Sequence, residues 1–133
     1  MTVEKLALAL IRNVICGVAV SDEVRVEVTE SAKRELYKLT QYHDLAHLVG
    51  HALDVAKLLD GGEFDKLFYK KRRVAVYRYE QIRYDYDRIC ALLEAENIPY
   101  VPLKGSIVRA LYPEPWMRTS CDIDIFVANE DLE

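Results

Sequence analysis

Residues 102–127 read PLKGSIVRALYPEPWMRTSCDIDIFV, and this segment differs in character from the chain before it. Short apolar runs alternate here with Gly and Pro, the residues that most often mark turns. The pattern predicts an extended segment over 98–103, a turn over 104–106, about two helical turns over 107–112 and an apolar strand over 121–127. Strands and helices that alternate in this way are typical of the beginning of a mixed α/β unit.

The residues that precede this segment predict helices. Apolar side chains recur at helical spacing from Val3 to Val14, with Thr2 as the N-cap and Gly17 as the stop. Residues 63–96 keep a period of roughly 3.6 residues without any Gly or Pro, which predicts one long helix.

Two shorter patterns complete the helical region. An apolar pattern over 45–59 has helical spacing and ends at Gly61-Gly62. The alternation in DEVRVEV, residues 22–28, favours an extended segment, and a helix is the alternative. We therefore predict an α+β protein, in which residues 1–97 form a helical region and residues 98–133 form the first strands of a mixed sheet, packed together as one domain.

Composition excludes several classes of protein. A chain of 133 residues fits one domain, and a net charge of -4 argues against a generally basic surface that binds nucleic acid. No apolar run reaches the about 18 residues that a membrane span needs. Cys16, Cys90 and Cys121 lie far apart, without zinc-ligand spacing or a disulfide framework, so we predict a reducing, cytoplasmic setting.

Two acids in the second predicted strand are candidate metal ligands. Residues i and i+2 of a strand point to the same face, so Asp122 and Asp124 would project together. Mg²⁺ prefers oxygen ligands and is often held by one or two carboxylates together with substrate phosphates. The alternative is a strand edge that carries two solvated acids.

The turn that follows the first predicted strand is a candidate phosphate site. Gly105 would allow a phosphate to approach the backbone closely, and the start of the next helix would offer free N–H groups. Ser106 could add a hydroxyl group and Lys104 a positive charge. The alternative is a Gly-Ser turn without a ligand.

The two motifs occur in an order that resembles the nucleotidyltransferase superfamily, which includes DNA polymerase beta and kanamycin nucleotidyltransferase. The closer resemblance is to a group described as uncharacterised nucleotidyltransferases. Members of that group have a Leu-Lys-Gly turn, a Tyr-Pro segment, an Arg and an Asp-Ile-Asp strand. The present chain has Leu103-Lys104-Gly105, Tyr112-Pro113, Arg118 and Asp122-Ile123-Asp124 in that order.

The resemblance implies a metal-dependent transfer of a nucleoside monophosphate from a nucleoside triphosphate to a hydroxyl acceptor that the sequence does not identify. Asp122 and Asp124 would be catalytic and would hold Mg²⁺ or Mn²⁺. The strands over 98–133 would open the nucleotidyltransferase core.

The resemblance also implies how the triphosphate is held. It would bind at Gly105 and Ser106, and the side chains of Lys104 and Arg118 would contact its phosphates. For both Arg118 and Lys104 the alternative is a structural ion pair with a neighbouring acid.

One departure from the superfamily bears on activity. The superfamily places a third carboxylate on a later strand, and the acids Glu130, Asp131 and Glu133 are too close to Val127 to supply it. We therefore expect a truncated core that continues in a longer protein, or a degenerate member. The alternative function is a non-catalytic helical module for binding or oligomerisation, or a fragment that depends on a partner. An open sheet edge would favour a homo-oligomer.

Two other clusters have possible functions. His43, His47 and His51 recur every four positions and would share one face of a continuous helix, where a pair could bind Zn²⁺ or Ni²⁺. The alternative is one packed histidine and two solvated ones. The basic run over 70–73, followed by tyrosines and arginines up to Tyr86, is typical of contact with single-stranded nucleic acid, and a solvated helix face is the favoured alternative.

Overall fold

The computed structural model describes residues 1–128 and 130. The chain forms two compact units, Met1–Ala75 and Val76–Glu133. We call them unit 1 and unit 2. The division falls inside a long helix, Glu63–Ala95. The predicted organisation, a helical region over 1–97 followed by strands over 98–133 in one domain, stays a prediction.

Unit 1 is helical. Its elements are α1 (Val3–Cys16), α2 (Asp22–Glu27), α3 (Glu30–Tyr42), α4 (Ala46–Val55) and the first part of α5 (Glu63–Ala95). The hydroxyl of Thr2 accepts a hydrogen bond from the Lys5 N–H at 3.4 Å, and Gly17 ends α1 with a φ of 68°. Both predicted ends of α1 are therefore confirmed, as is the prediction of one long helix at α5.

The favoured sequence interpretation of residues 22–28 is wrong, and the helix predicted over 45–59 ends earlier, at Val55. Residues 22–27 form helix α2, not an extended segment. Ser21 caps the helix by accepting the Val24 N–H at 3.4 Å, and Asp22 and Glu23 lie in the first turn, where carboxylates stabilise a helix. Val24 is the residue that α2 buries, so the alternating valines do not form a buried face.

The core of unit 1 lies among α1, α3, α4 and the beginning of α5. Its fully buried apolar side chains are Leu10, Leu36, Val49, Ala52, Leu53 and Phe68. Gly50 allows α4 to approach α5 closely, because a Cβ atom at this position would lie 2.9 Å from the Phe68 Cβ. The helices of unit 1 therefore pack closely around one shared hydrophobic core.

A buried lysine on α3 joins this helix to the loop after α4 and to the start of α5. Lys33 is 0% exposed, and its Nζ lies 3.0 Å from Asp60 and 2.9 Å from Asp65. The second oxygen of Asp65 accepts the backbone N–H groups of Asp60 at 2.8 Å and Gly61 at 2.9 Å. Burial opposes the charge of Lys33, but hydrogen bonds to the two carboxylates outweigh it and raise the pKa of the lysine.

Unit 2 contains the remainder of α5 and a small sheet. Its other elements are β1 (Tyr100–Pro102), α6 (Gly105–Val108), a 3₁₀ turn (Arg109–Leu111), a second 3₁₀ turn (Pro115–Met117) and β2 (Ile125–Val127). The two strands are antiparallel, with Tyr100 opposite Val127 and Pro102 opposite Ile125. Helices followed by strands confirm the α+β prediction.

The second strand is shorter than the sequence predicts. It begins at Ile125, so Asp122 and Asp124 precede the strand and do not lie on it. The backbone of this segment is held by other contacts: the Leu103 N–H donates to the Asp124 carbonyl at 3.0 Å, and the Ser120 hydroxyl donates to the Asp122 carbonyl at 3.4 Å. The predicted extent of the strand is therefore wrong, and the projection of the two acids to one side stays a prediction.

Candidate functional site

The turn between β1 and α6 has an unusual backbone at Lys104. Its φ is 42°, a region that residues other than glycine seldom adopt. The Lys104 carbonyl accepts the N–H groups of Ile107 at 3.1 Å and Val108 at 2.9 Å, which holds the turn in place. Strain of this kind is concentrated at functional sites, since the surrounding structure must maintain it.

The side chain of Lys104 reaches the acidic segment. Its Nζ lies 3.8 Å from the Asp124 carboxylate. The lysine side chain is 79% exposed and the aspartate 36%, so the pair is solvated and weak. This contact brings two of the predicted site residues together and leaves the lysine free to turn toward another anion.

Gly105 faces Arg118 and Ser120. A Cβ atom built on Gly105 would lie 3.7 Å from the Arg118 Nη1 and 3.6 Å from the Ser120 hydroxyl. The guanidinium group therefore stands beside the bare backbone of the turn. An arrangement of this kind suits a phosphate, which can take hydrogen bonds from backbone N–H groups and from a guanidinium together.

Among the residues that the structure describes, no acid forms the ion pair with Arg118 that was the alternative to a phosphate contact. Its Nη1 donates to the Thr119 carbonyl at 3.4 Å, and no acid pairs with it within residues 1–128 and 130. A guanidinium carries five donors, so this one long hydrogen bond leaves most of its donor capacity for a ligand.

Asp122 and Asp124 lie at the surface of unit 2. Asp122 is exposed and Asp124 is half-buried. Within the part of the chain that the structure describes, no group of three or more His, Cys, Asp or Glu side chains is placed to hold a metal ion. Two carboxylates still fit Mg²⁺ when substrate phosphates supply further oxygens, because Mg²⁺ often binds proteins in that way.

Sequence reasoning missed Arg109 and Ser120. Arg109 is 7% exposed, its Nη2 donates to the Ser120 hydroxyl at 2.8 Å, and its guanidinium carbon lies 5.5 Å from the centre of the Tyr79 ring. Burial lowers the pKa of Arg109, the charge of Arg118 lowers it further, and Tyr79 opposes this. The available signal was one charged residue within the apolar segment Ile107–Leu111.

The three histidines do not share a helix. α3 ends at Tyr42 and α4 begins at Ala46, and the chain turns between them at Asp44, where φ is 55°. His43 therefore precedes the turn, whereas His47 lies on α4 and is buried. The prediction of one helical face across all three positions is wrong, whereas His47 and His51 both lie on α4 and a zinc or nickel site at this pair stays a prediction.

Part of the basic run over 70–73 has a structural role. Arg72 pairs with Asp54 at 2.7 Å, and the guanidinium groups of Arg72 and Arg73 lie about 6 Å from the Tyr69 ring. Contact with single-stranded nucleic acid stays a prediction. Among the described residues, no helix is both long enough and apolar enough to cross a membrane.

Comparison with known proteins identifies the family. A family model described as "Uncharacterised nucleotidyltransferase" matches residues 29–133, which is most of the chain. The chain belongs to this family. The match confirms the resemblance drawn from the Leu-Lys-Gly turn and the Asp-Ile-Asp segment. No curated protein and no solved structure matches the chain.

Membership of the uncharacterised nucleotidyltransferase family supports a nucleotidyltransferase-like function for the chain. The match begins at Thr29, immediately before α3, and includes the whole of unit 2. Within this family member, the Lys104–Gly105 turn, Arg118 and Asp124 are the predicted site residues that direct contacts or close approach bring together.

Proposed function

We propose that this protein transfers a nucleoside monophosphate from a nucleoside triphosphate to a hydroxyl acceptor, with Mg²⁺ or Mn²⁺ bound at Asp122 and Asp124. The observation that carries the proposal is the position of Gly105, whose bare backbone faces the Arg118 guanidinium at a Cβ distance of 3.7 Å. This arrangement supports a phosphate site inside a chain that belongs to a nucleotidyltransferase family.

The triphosphate would be held by the turn and the cations around it. The N–H groups of Gly105 and Ser106 are the first of α6, so they lack intrahelical partners and are available as donors. Arg118 would donate to the same phosphates from the other side. Lys104 would leave the weak pair with Asp124 and neutralise phosphate charge, because its exposed side chain is free to move.

The two aspartates would hold the metal ion. Once Lys104 turned to the phosphates, it would no longer pair with the Asp124 carboxylate. The carboxylates of Asp122 and Asp124 would then both be available as oxygen ligands. The chemistry that Mg²⁺ supplies when bound is neutralisation of phosphate charge and activation of the attacking hydroxyl. In the reaction the acceptor hydroxyl would lose its proton to solvent water and its oxygen would bond to the α-phosphorus, while the bond from the α-phosphorus to the bridging oxygen breaks and pyrophosphate leaves with its electrons.

Thermal unfolding in the presence of nucleotides tests this proposal. Trp116 is the single tryptophan and lies in unit 2, so its fluorescence reports the unit that contains the site. Each of ATP, GTP, CTP and UTP is added with Mg²⁺ or Mn²⁺. A ligand at about 100 times its Kd stabilises the folded state by about 2.7 kcal/mol, which raises the midpoint by several degrees.

The variant Asp122→Asn/Asp124→Asn is expected to lose the metal-dependent part of the stabilisation. The matched control is Asp85→Asn/Glu96→Gln, which removes two exposed acids of the same unit and changes the net charge equally. The proposal is contradicted if no triphosphate stabilises the protein, or if the control loses as much stabilisation as the aspartate variant.

A further inference from the structure

Unit 2 contains a cavity beside the proposed phosphate turn. Its volume is about 270 Å³, and all the residues that line it belong to this unit. One wall is a face of α5 that presents Tyr79, Arg83, Tyr86 and Asp87, which lie on neighbouring turns of the helix. Ser106, from the phosphate turn, also lines the cavity.

Arg109 also lines this cavity, and it is a buried cation that has no acid partner among residues 1–128 and 130. The residue is 7% exposed, and its Nε is buried and has no hydrogen-bond partner among the residues that the structure describes. Its Nη2 is used by Ser120, and the face of the Tyr79 ring offers partial compensation. A buried charge is destabilising unless it is paired and hydrogen-bonded, so this guanidinium is suited to an anion supplied by a ligand.

The charges around the cavity favour an anion as well. Two guanidinium groups, those of Arg83 and Arg109, and one carboxylate, that of Asp87, line it. Arg83 also donates to Glu80 at 2.8 Å, but both side chains of this pair are more than half exposed, so the pair is weak. A ligand anion inside the cavity would lie near the buried Arg109, and the exposed Arg83 would add a second positive charge.

The remainder of the lining is apolar. It consists of the rings and alkyl groups of Tyr86, Pro102, Ile107, Ala110 and Pro115. Ligand sites are commonly of this kind, with an apolar wall and a few polar groups that fix the orientation of the ligand. The volume is at the small end of the range for such sites, so it suits one ring with its substituents and not a complete nucleoside triphosphate.

We propose that this cavity holds the acceptor substrate, and that the acceptor is a small hydroxyl compound with an apolar or aromatic body and one carboxylate or phosphate group that pairs with Arg109. The inference rests on the proposed function, because Ser106 connects the cavity wall to the turn that would hold the triphosphate. The ligand hydroxyl would then lie toward Ser106, and its anionic group toward Arg109.

Matched probes separate the anion from the ring. 4-Hydroxybenzoate and 4-hydroxybenzamide have the same ring and hydroxyl group, but only the first is charged at pH 7. Phenyl phosphate distinguishes a phosphate from a carboxylate. Binding is measured by titration calorimetry and by the fluorescence of Trp116, which follows Pro115 of the cavity wall. We expect at least one anionic probe to bind about tenfold more tightly than the amide, because hydrogen bonds to charged groups are stronger than neutral ones.

Three variants locate the binding. Arg109→Lys keeps the positive charge but removes the planar guanidinium. Arg83→Met removes the charge of an exposed lining residue without disturbing a buried group. Each variant is expected to lower the affinity for the anionic probe, by about tenfold for Arg109→Lys and by a few-fold for Arg83→Met. The control is Arg88→Met, an exposed arginine of the same helix that lies outside the cavity lining and contacts Tyr84.

The outcomes distinguish this inference from the proposed function. Tighter binding of an anionic probe, weakened by Arg83→Met but not by Arg88→Met and retained in Asp122→Asn/Asp124→Asn, supports an anion site separate from the nucleotide. The inference is overturned if neither anionic probe binds more tightly than the amide, or if ATP with Mg²⁺ displaces the bound probe. If the anionic probe binds and no triphosphate does, the proposed function fails and the anion site stands. If Arg109→Lys does not fold, Arg83→Met still decides.

Discussion

Among the described residues, unit 1 buries one lysine and unit 2 one arginine, and the two differ in what surrounds the charge. Lys33 of unit 1 has carboxylates at 3.0 Å and 2.9 Å, whereas Arg109 of unit 2 has no acid partner among residues 1–128 and 130. A buried charge with its counter-ions is part of a fold, while one without them is suited to a ligand. The comparison separates a unit whose buried cation is paired with acids from a unit whose buried cation would be available to a ligand.

The packing of the two units agrees with this difference. Most of the buried apolar side chains belong to unit 1, and unit 2 contributes Cys90 and Met117 among the described residues. The two strands of unit 2 leave Val101 and Phe126, which are opposed across the sheet, largely exposed. Self-association through this sheet stays a prediction.

The largest expected effect comes from removing the buried lysine of unit 1. Lys33→Met would leave Asp65, which is 5% exposed, without its counter-ion, and should lower the free energy of unfolding by about 3 kcal/mol. Lys38→Met is the control, because Lys38 forms an exposed pair with Glu35 that contributes about 0.5 kcal/mol or less. Urea denaturation followed by circular dichroism measures both. Equal losses would show that the Lys33 network is not structural.

A smaller effect of opposite sign is expected at the phosphate turn of unit 2. Lys104→Gly removes the strain of a positive φ and should raise the free energy of unfolding by about 1 kcal/mol. The same variant should bind triphosphate less tightly, because it lacks the cation. Trp116 fluorescence in urea and nucleotide titration give the two quantities. A destabilised variant would mean that the turn is held for a reason other than ligand binding.

The arginine of unit 2 should contribute little to stability. Arg109→Met exchanges an unpaired buried cation for an apolar side chain, so the gain from removing the charge offsets the lost hydrogen bond to Ser120. We expect the free energy of unfolding to change by less than about 1 kcal/mol. Trp116 fluorescence in urea measures it beside Lys33→Met. A loss as large as that of Lys33→Met would abolish the contrast between the two cations.

The smallest effect is on the pH dependence of unit 1. The hydrogen bond from Lys33 lowers the pKa of Asp60 below its ordinary value of 3.8, with help from Asp65 and the Gly62 N–H. A lowered carboxyl pKa stabilises the fold above pH 3.8, and this contribution is lost as the pH falls further. Asp60→Asn should therefore show a shallower loss of stability between pH 5 and pH 2. An unchanged slope would assign the acid sensitivity to other carboxyl groups.

Local patterns in the sequence predicted the parts of the molecule that depend on local physics. Thr2 and Gly17 marked the ends of α1, and the apolar period marked α5, because capping and helical spacing are properties of neighbouring residues. The segment over 22–28 was misread because a period of two in so short a stretch also fits one turn and a half of helix, and the Ser21 cap decides between them.

The candidate site was predictable in composition but not in geometry. Lys104, Gly105, Ser106 and Arg118 were found from their order along the chain, which the family shares. The contacts of Arg109 could not be found in this way, because its hydrogen bond to Ser120 and its position over Tyr79 join residues that lie far apart in the sequence. The positive φ of Lys104 was also missed, since nothing about a lysine indicates it.

The most direct test of the account is a single methyl group on the phosphate turn. In Gly105→Ala the new Cβ would lie 3.6 Å or more from Ser120 and Arg118, which is ordinary contact, so the folded unit accepts it. The account predicts that this variant unfolds in urea at the same concentration as the parent or a higher one, yet loses the stabilisation by triphosphate and metal, because the methyl group occupies the approach to the backbone. A Gly105→Ala protein that folds and still binds the triphosphate as the parent does would contradict the claim that this turn is the nucleotide site.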